Sequence, residues 1–226
     1  MARRNRPRRR TRFLRRVRLY MRLGIFVLVV LMVVLIGMKF FEVGPFSNQY
    51  VEQDDTSMRI ERPNMDVDLL TVNPYSRPGT QSEKIRNIVI HYTANPGTSA
   101  AQNRSYFENL KDTHETSASS HFVVGIQGEI VQCVPTWEIA YASNHRNNDS
   151  VSIETCHLKE DGSYTKETYD SMVHLTAWLC EKFELTEQDI IRHYDVTGKE
   201  CPKYFVDHED AWEQFKNDVK KMLEEP

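Results

Sequence analysis

The residues that can carry chemistry in this chain are histidines and one cysteine, and their spacing narrows what that chemistry is. Eight histidines and four cysteines are present, with no CxxC pair and no HExxH run, so no short zinc motif is available. The informative pair is His193 and Cys201, eight residues apart in the turn-rich stretch IRHYDVTGKECP. An imidazole and a thiol on one rigid loop, joined by a distant histidine at a strand end, would make a three-ligand zinc site. Such a site leaves a fourth position for water, as catalytic zinc requires. On spacing alone the alternative stands beside it: a loop histidine and a buried cysteine, the commoner fate of both residue types.

The elements around these residues set where they point. Arg86–His91 (RNIVIH) is a short apolar run that predicts a buried strand ending in a histidine, followed by the turn residues Asn95, Pro96 and Gly97. Ser99 with Gln102 predicts a capping box for a helix carrying Tyr106, Phe107 and Leu110. His121–Ile126 and Glu129–Val134 are β-rich runs joined across Gln127-Gly128, the pattern of a hairpin. Ser150–Cys156 alternates as a strand does. Thr165–Phe183, with apolar residues at 169, 172, 173, 179 and 183, predicts a helix packed on one face. A last helix is expected from Asp207 to about Leu223, with Trp212, Phe215, Val219 and Met222 at helical spacing. Strands and helices alternate irregularly. The fold class expected is α/β: a single domain with a central mixed β-sheet flanked by helices.

Read together and in order, five segments are much more specific than any one of them. NPYSRPG (73–79), IVIHYTANPGTSA (88–100), SSHFVVGIQGEIVQCVP (119–135), NNDSVSIE (147–154) and RHYDVTGKECP (192–202) resemble the type-2 family of zinc-dependent N-acetylmuramoyl-L-alanine amidases. That family includes the bacteriophage lysozyme-like amidases and the peptidoglycan-recognition proteins. The resemblance implies zinc as cofactor, with His91, His193 and Cys201 as its ligands. It implies Glu154 as general base and Lys199 as the cation that stabilises the oxyanion. Zinc of this kind lowers the pKa of water from 15.7 toward about 7, and a nearby carboxylate can take the released proton and hand it to a leaving amine. His121, after Ser119-Ser120, is a candidate for the substrate groove, with packing or hydrogen bonding as the other reading. Asp195 is expected as a turn former or as a partner of a ligand histidine. The chain departs from many relatives at Ile139–Asn144 (IAYASN), where a tryptophan-histidine-small-glycine run is usual and Ala142 stands for the histidine.

The implied reaction is hydrolysis of the amide between N-acetylmuramic acid and L-alanine in peptidoglycan, the expected partner. The alternative is a peptidoglycan-binding module without catalysis. A full set of His91, His193, Cys201 and Glu154 favours the enzyme. If Cys201 binds zinc, Cys133, Cys156 and Cys180 remain; three cannot all pair internally, and buried free thiols are usual on strands and helices.

Charge is distributed unevenly along the chain. A formal net charge of −3 hides eleven arginines and no acid in the first 22 residues, leaving 18 basic against 32 acidic side chains in the rest. An acidic body argues against nucleic acid as a partner. After the basic head, Leu23–Met38 is uncharged and apolar. Sixteen such residues span about 24 Å as a helix, and Arg22, Lys39 and the flanking Tyr20, Phe40 and Phe41 extend the belt toward the roughly 30 Å of a bilayer core. No small-x-small cleavage site follows. The expected layout is an Arg-rich cytoplasmic head (1–22), a transmembrane anchor (23–41), an extracellular stalk (42–72) and a zinc amidase domain (73–226). Positive charge on the cytoplasmic side puts that domain outside, facing the cell wall.

Overall fold

The computed structural model describes residues 8–40 and 58–225. The chain divides into two units, residues 1–53 and 54–226. In the first, helix α1 runs Arg8–Phe40, and it holds the one described helix long and apolar enough to cross a membrane, with a Val17–Val34 stretch of mean hydropathy 2.3. Residues 1–7 of the expected head, residue 41 of the expected anchor and residues 42–57 of the expected stalk lie outside the described residues.

The second unit is built on a six-stranded sheet. Its strands are β1 (Asp66–Val67), β2 (Asn87–Tyr92), β3 (Phe122–Val124), β4 (Ile130–Gln132), β5 (Ser150–Thr155) and β6 (Ile190–Arg192), in the order β1-β4-β3-β5-β2-β6. The β3–β4 hairpin is antiparallel, and the other pairings are parallel, so the sheet is mixed. The helices are α2 (Ala100–Thr113), α3 (Lys166–Lys182), α4 (His193–Thr197), α5 (Lys203–Asp207) and α6 (Glu209–Glu224).

Alternation along the strands divides the core into two layers. Ile88 and Ile90 of β2, Phe122 and Val124 of β3, and Val151 and Ile153 of β5 pack with Met172, Leu175 and Leu179 of α3 and with Phe215 and Val219 of α6. Val123 and Val131 point the other way, to Leu70, Ala100, Phe107 and Cys133. Both faces are covered, which is why the central strand β2 reads as a continuous apolar run rather than an alternating one. Because side chains alternate along a strand, His91 shares a face with Val89, and Glu154 shares one with Ser152, opposite the α3 layer.

The helices start and stop where their caps dictate. Ser99 caps α2 through a full capping box with Gln102, as the sequence predicts, and Thr165 caps α3 by accepting from the Thr168 N–H. The hairpin turns at Gly128, whose φ of 83° suits a residue without Cβ.

Residues 58–72 depart from the expected stalk. Glu181 accepts from the backbone N–H groups of Arg59 and Ile60 at 3.0 and 2.7 Å. Ile60 joins the α3 core, β1 adds to the sheet beside β4, and Leu70 is 1% exposed. The segment lacks a period because it is a strap held by isolated anchors, not a regular element. The globular unit therefore begins before Asn73, and the expected last helix is α6, with the short α5 preceding it.

Candidate metal centre and catalytic groups

Three parallel strands deliver the site at their carboxyl ends, the edge where open α/β sheets commonly bind ligands. His91 is the penultimate residue of β2, and Glu154 is its register partner on β5. His193 follows directly on the last residue of β6. A ladder that fixes Ile90 opposite Ile153 thus also fixes His91 beside Glu154.

Cys201 reaches the same place through the loop after α4. Gly198 ends that helix with φ 77°, in the left-handed region, and its N–H donates to the Tyr194 carbonyl. The Tyr194 N–H donates to the Cys201 carbonyl at 2.8 Å, and the Cys201 N–H donates to the Lys199 carbonyl at 2.7 Å. These bonds fold eight residues into a loop that returns the sulfur to the histidines. Behind it, Asp195 accepts from the Arg192 N–H at 2.8 Å and from the Arg192 guanidinium at 3.0 and 3.1 Å. Arg192 also donates to the Phe205 carbonyl and to Glu209, and lies over the Trp212 ring. Asp195 accordingly shapes the backbone at His193 as a turn former, through the arginine rather than through an imidazole.

The structure brings His91, His193 and Cys201 together, with one donor atom from each lying within 4.8 Å of the others. Cys201 Sγ stands 3.8 Å from His91 Nδ1, and the two imidazole centroids are 4.7 Å apart. All three residues are buried. Tetrahedral donors at zinc–nitrogen and zinc–sulfur bond lengths stand roughly 3.5 Å apart, so this donor set fits zinc.

Electrostatics agree with that fit. Burial holds the His91 imidazole well below its ordinary range, and His193, Lys199 and His121 lower it further. His193 is lowered too, by burial and then Lys199. Both rings are therefore neutral, the form that coordinates metal. Burial pushes the Cys201 thiol up to about 12, with Glu154 adding to the effect while the Tyr92 N–H and Lys199 oppose it. A thiol so disposed keeps its proton until a cation binds the sulfur and displaces that proton to solvent.

Glu154 is half-buried, and its Oε2 is buried with no hydrogen-bond partner among the described residues. Burial raises its carboxyl to about 8, against the pull of Lys199. A native carboxylate oxygen left without a donor marks a place for a ligand or a water. Lys199 is exposed, and its positive charge lowers His91, His193, Glu154 and Cys201 alike.

His121 lies elsewhere in function. It is 1% exposed; Nδ1 accepts from the Ser152 N–H at 3.0 Å, and Nε2 then carries the proton it donates to the Glu138 carbonyl at 2.9 Å. The ring is a neutral strut between the hairpin, β5 and the 135–140 loop. Both ring nitrogens are taken by hydrogen bonds, the second of the two readings the sequence left open for His121. Sequence reasoning missed Ser143 and Asn144, which lie against Nε2 of His91 (3.1 Å) and Nε2 of His193 (2.8 Å). The only signal was a polar run, SNHRNND, with no period. The four cysteines are buried and free.

A mixed sheet covered on both faces, with two imidazoles, a thiol and a carboxylate gathered at its strand ends, defines the class: an α/β protein with a donor set able to hold a metal. Comparison with known proteins supplies the family. The family described as N-acetylmuramoyl-L-alanine amidase matches residues 81–204. The N-acetylmuramoyl-L-alanine amidase BlyA of Bacillus subtilis (strain 168) is 34% identical over 175 residues, covering 68% of this chain and 46% of the relative. CwlL of Bacillus licheniformis, with the same activity in its name, is 34% identical over 165 residues, covering 67% of this chain and 45% of its own. The catalytic domain of XlyA superposes with a TM-score of 0.59 at 28% identity, over 70% of this chain and 99% of that domain. This chain belongs to the type-2 N-acetylmuramoyl-L-alanine amidase family. It spans about half the length of the curated relatives it matches.

Proposed function

We propose that this protein hydrolyses the amide between the lactyl group of N-acetylmuramic acid and the L-alanine of the peptidoglycan stem peptide, using zinc. The observation that carries the proposal is a buried His91–His193–Cys201 donor set beside a carboxylate oxygen with no partner among the described residues. Family membership supports the same reaction.

His91, His193 and Cys201 would hold the metal. Zinc bound there supplies a Lewis acid that acidifies water and polarises a carbonyl. Two neutral imidazoles and one thiolate cancel only half of its charge, so that acidity is retained. Glu154 Oε2 accepts the proton of the attacking water and later delivers it to the alanine nitrogen as the C–N bond breaks. Its burial keeps it basic enough for the first transfer and acidic enough for the second. Lys199 brings a positive charge to the carbonyl oxygen as negative charge develops there. Burial of the three ligands excludes bulk water, which strengthens each of these interactions.

The chain is further read as a single-pass membrane protein. Residues 1–22 form a cytoplasmic head, 23–41 the anchor, and a linker from residue 42 leads to an amidase domain on the wall side. The exposed apolar face of α1 and the eleven head arginines support this topology. An anchor at the inner edge of the wall would keep the enzyme beside its substrate.

The full-length chain in detergent, given purified peptidoglycan, should release new N-terminal alanine amines without new reducing sugar ends. A chelator and His91→Ala should each abolish the release. A wild-type chain that binds zinc and wall yet releases no amine would instead be a binding module.

A further inference from the structure

We infer that Ser143 and Asn144 are positioning residues that set both metal-binding imidazoles at once, each hydrogen-bonding the outer nitrogen of one histidine. The inference rests on the metal centre proposed above, though not on the reaction. His91 and His193 come from different strands, yet their outer nitrogens meet two consecutive residues of one loop: Nε2 of His91 lies 3.1 Å from Ser143 Oγ, and Nε2 of His193 donates to Asn144 Oδ1 at 2.8 Å. An imidazole whose Nε2 carries the proton has its lone pair at Nδ1, and Nδ1 of His91 is the atom that faces Cys201 Sγ. The amide oxygen of Asn144 can only accept, so it selects that tautomer in His193. Ser143 is 1% exposed, so water cannot readily take the place of its hydroxyl.

The loop is braced by other groups, which frees these two side chains for the histidines. Asn147 Oδ1 accepts from the N–H groups of Ala142 and Ser143 at 3.1 and 2.6 Å. The N–H of Arg146 donates to the Ser143 carbonyl, and that of Asn147 to the Asn144 carbonyl. Arg146 grips Asp149 at 2.8 and 3.1 Å and bonds Asn87 at the start of β2, so the loop is tied to the strands that carry His91 and Glu154. Asn144 has φ 53°, a conformation glycine would take more readily. What a glycine lacks there is the amide.

The test is zinc affinity of the full-length chain in detergent, by competition with a chelating dye, together with the visible absorption spectrum of the cobalt-loaded protein. Ser143→Ala should weaken zinc binding about 10-fold or more, and Asn144→Gly by less because its site is exposed; outer partners of ligand histidines typically contribute 10–100-fold. Both should shift the cobalt bands. Ser143→Thr and Asn144→Asp, which restore a hydroxyl and an acceptor, should return affinity to within a fewfold of wild type. Binding unchanged in both deletion variants, with unaltered spectra, would overturn the inference. So would restoring variants as weak as the deletions, since that would show that side-chain volume mattered rather than hydrogen bonding. A wild-type chain that takes up neither metal would overturn it along with the centre. Zinc binding that follows the expected pattern without amine release would defeat only the proposed reaction.

Discussion

The two halves of the proposed metal centre are held by different physics. His91 and Glu154 sit on adjacent parallel strands, locked in register by a backbone ladder and by core on both faces. His193 and Cys201 sit on a short helix and a loop, where position depends on caps, backbone turns and the Arg192–Asp195 pair. The strand half tolerates change in its neighbours, because many contacts determine each side chain. The loop half depends on a few polar bonds, so single substitutions distant from the metal should reach it.

Substitutions can break this comparison, beginning with the strand half. Glu154→Gln keeps shape and register while removing the base, and should lower kcat by about 10²–10⁴ with zinc content unchanged, read by turnover alongside metal analysis. Loss of metal in that variant would mean the strand half is not independent. On the loop half, Lys199→Ala should cost about 10–100-fold in kcat, somewhat less than a fixed oxyanion donor, because an exposed lysine must be ordered first. A loss in KM alone would assign it to substrate binding.

Smaller effects sharpen the contrast. Arg192→Leu removes the clamp behind His193 and should destabilise the domain by about 1–3 kcal/mol, measured by denaturant unfolding, and should weaken zinc binding more than an equally destabilising change in the α3 core. Equal effects on zinc from both would erase the distinction between the halves. The smallest concerns the strap. Burial disfavours the Glu108 carboxylate, but bonds from the Thr71 hydroxyl and N–H and from Lys111, with Arg104 nearby, lower it to about 2. Its folded value lies below its unfolded one, so its stabilisation is present above pH 4.5 and is lost as pH falls toward 2. Glu108→Gln should therefore flatten the acid limb of stability between those values, its loss of stability being greatest at neutral pH and absent near pH 2, and small because the bonds lie at the partly solvated edge of the domain.

Much of the scaffold was legible because periodicity reports burial. RNIVIH announced a buried strand with a histidine at its end, Ser99 and Gln102 announced a capped helix, and the hairpin declared itself around Gly128. The strap at 58–72 was not legible, since Ile60 and Leu70 are single anchors with nothing periodic between them. Strand β6, three residues long, was hidden by its brevity.

The sequence by itself determined the elements, the order of motifs and the residue types able to bind zinc, because these follow from local pattern and from side-chain chemistry. The family resemblance singled out two of eight histidines, but only the tertiary structure brings His91 and His193 onto Cys201. His121 immediately precedes β3 and His91 lies near the end of β2, yet one is consumed by Ser152 and Glu138 while the other faces a thiol, a difference set by where each strand places its neighbours. The physical reason is that hydrogen-bond partners come from residues distant in the chain, and their meeting is fixed by packing rather than by any neighbour in sequence.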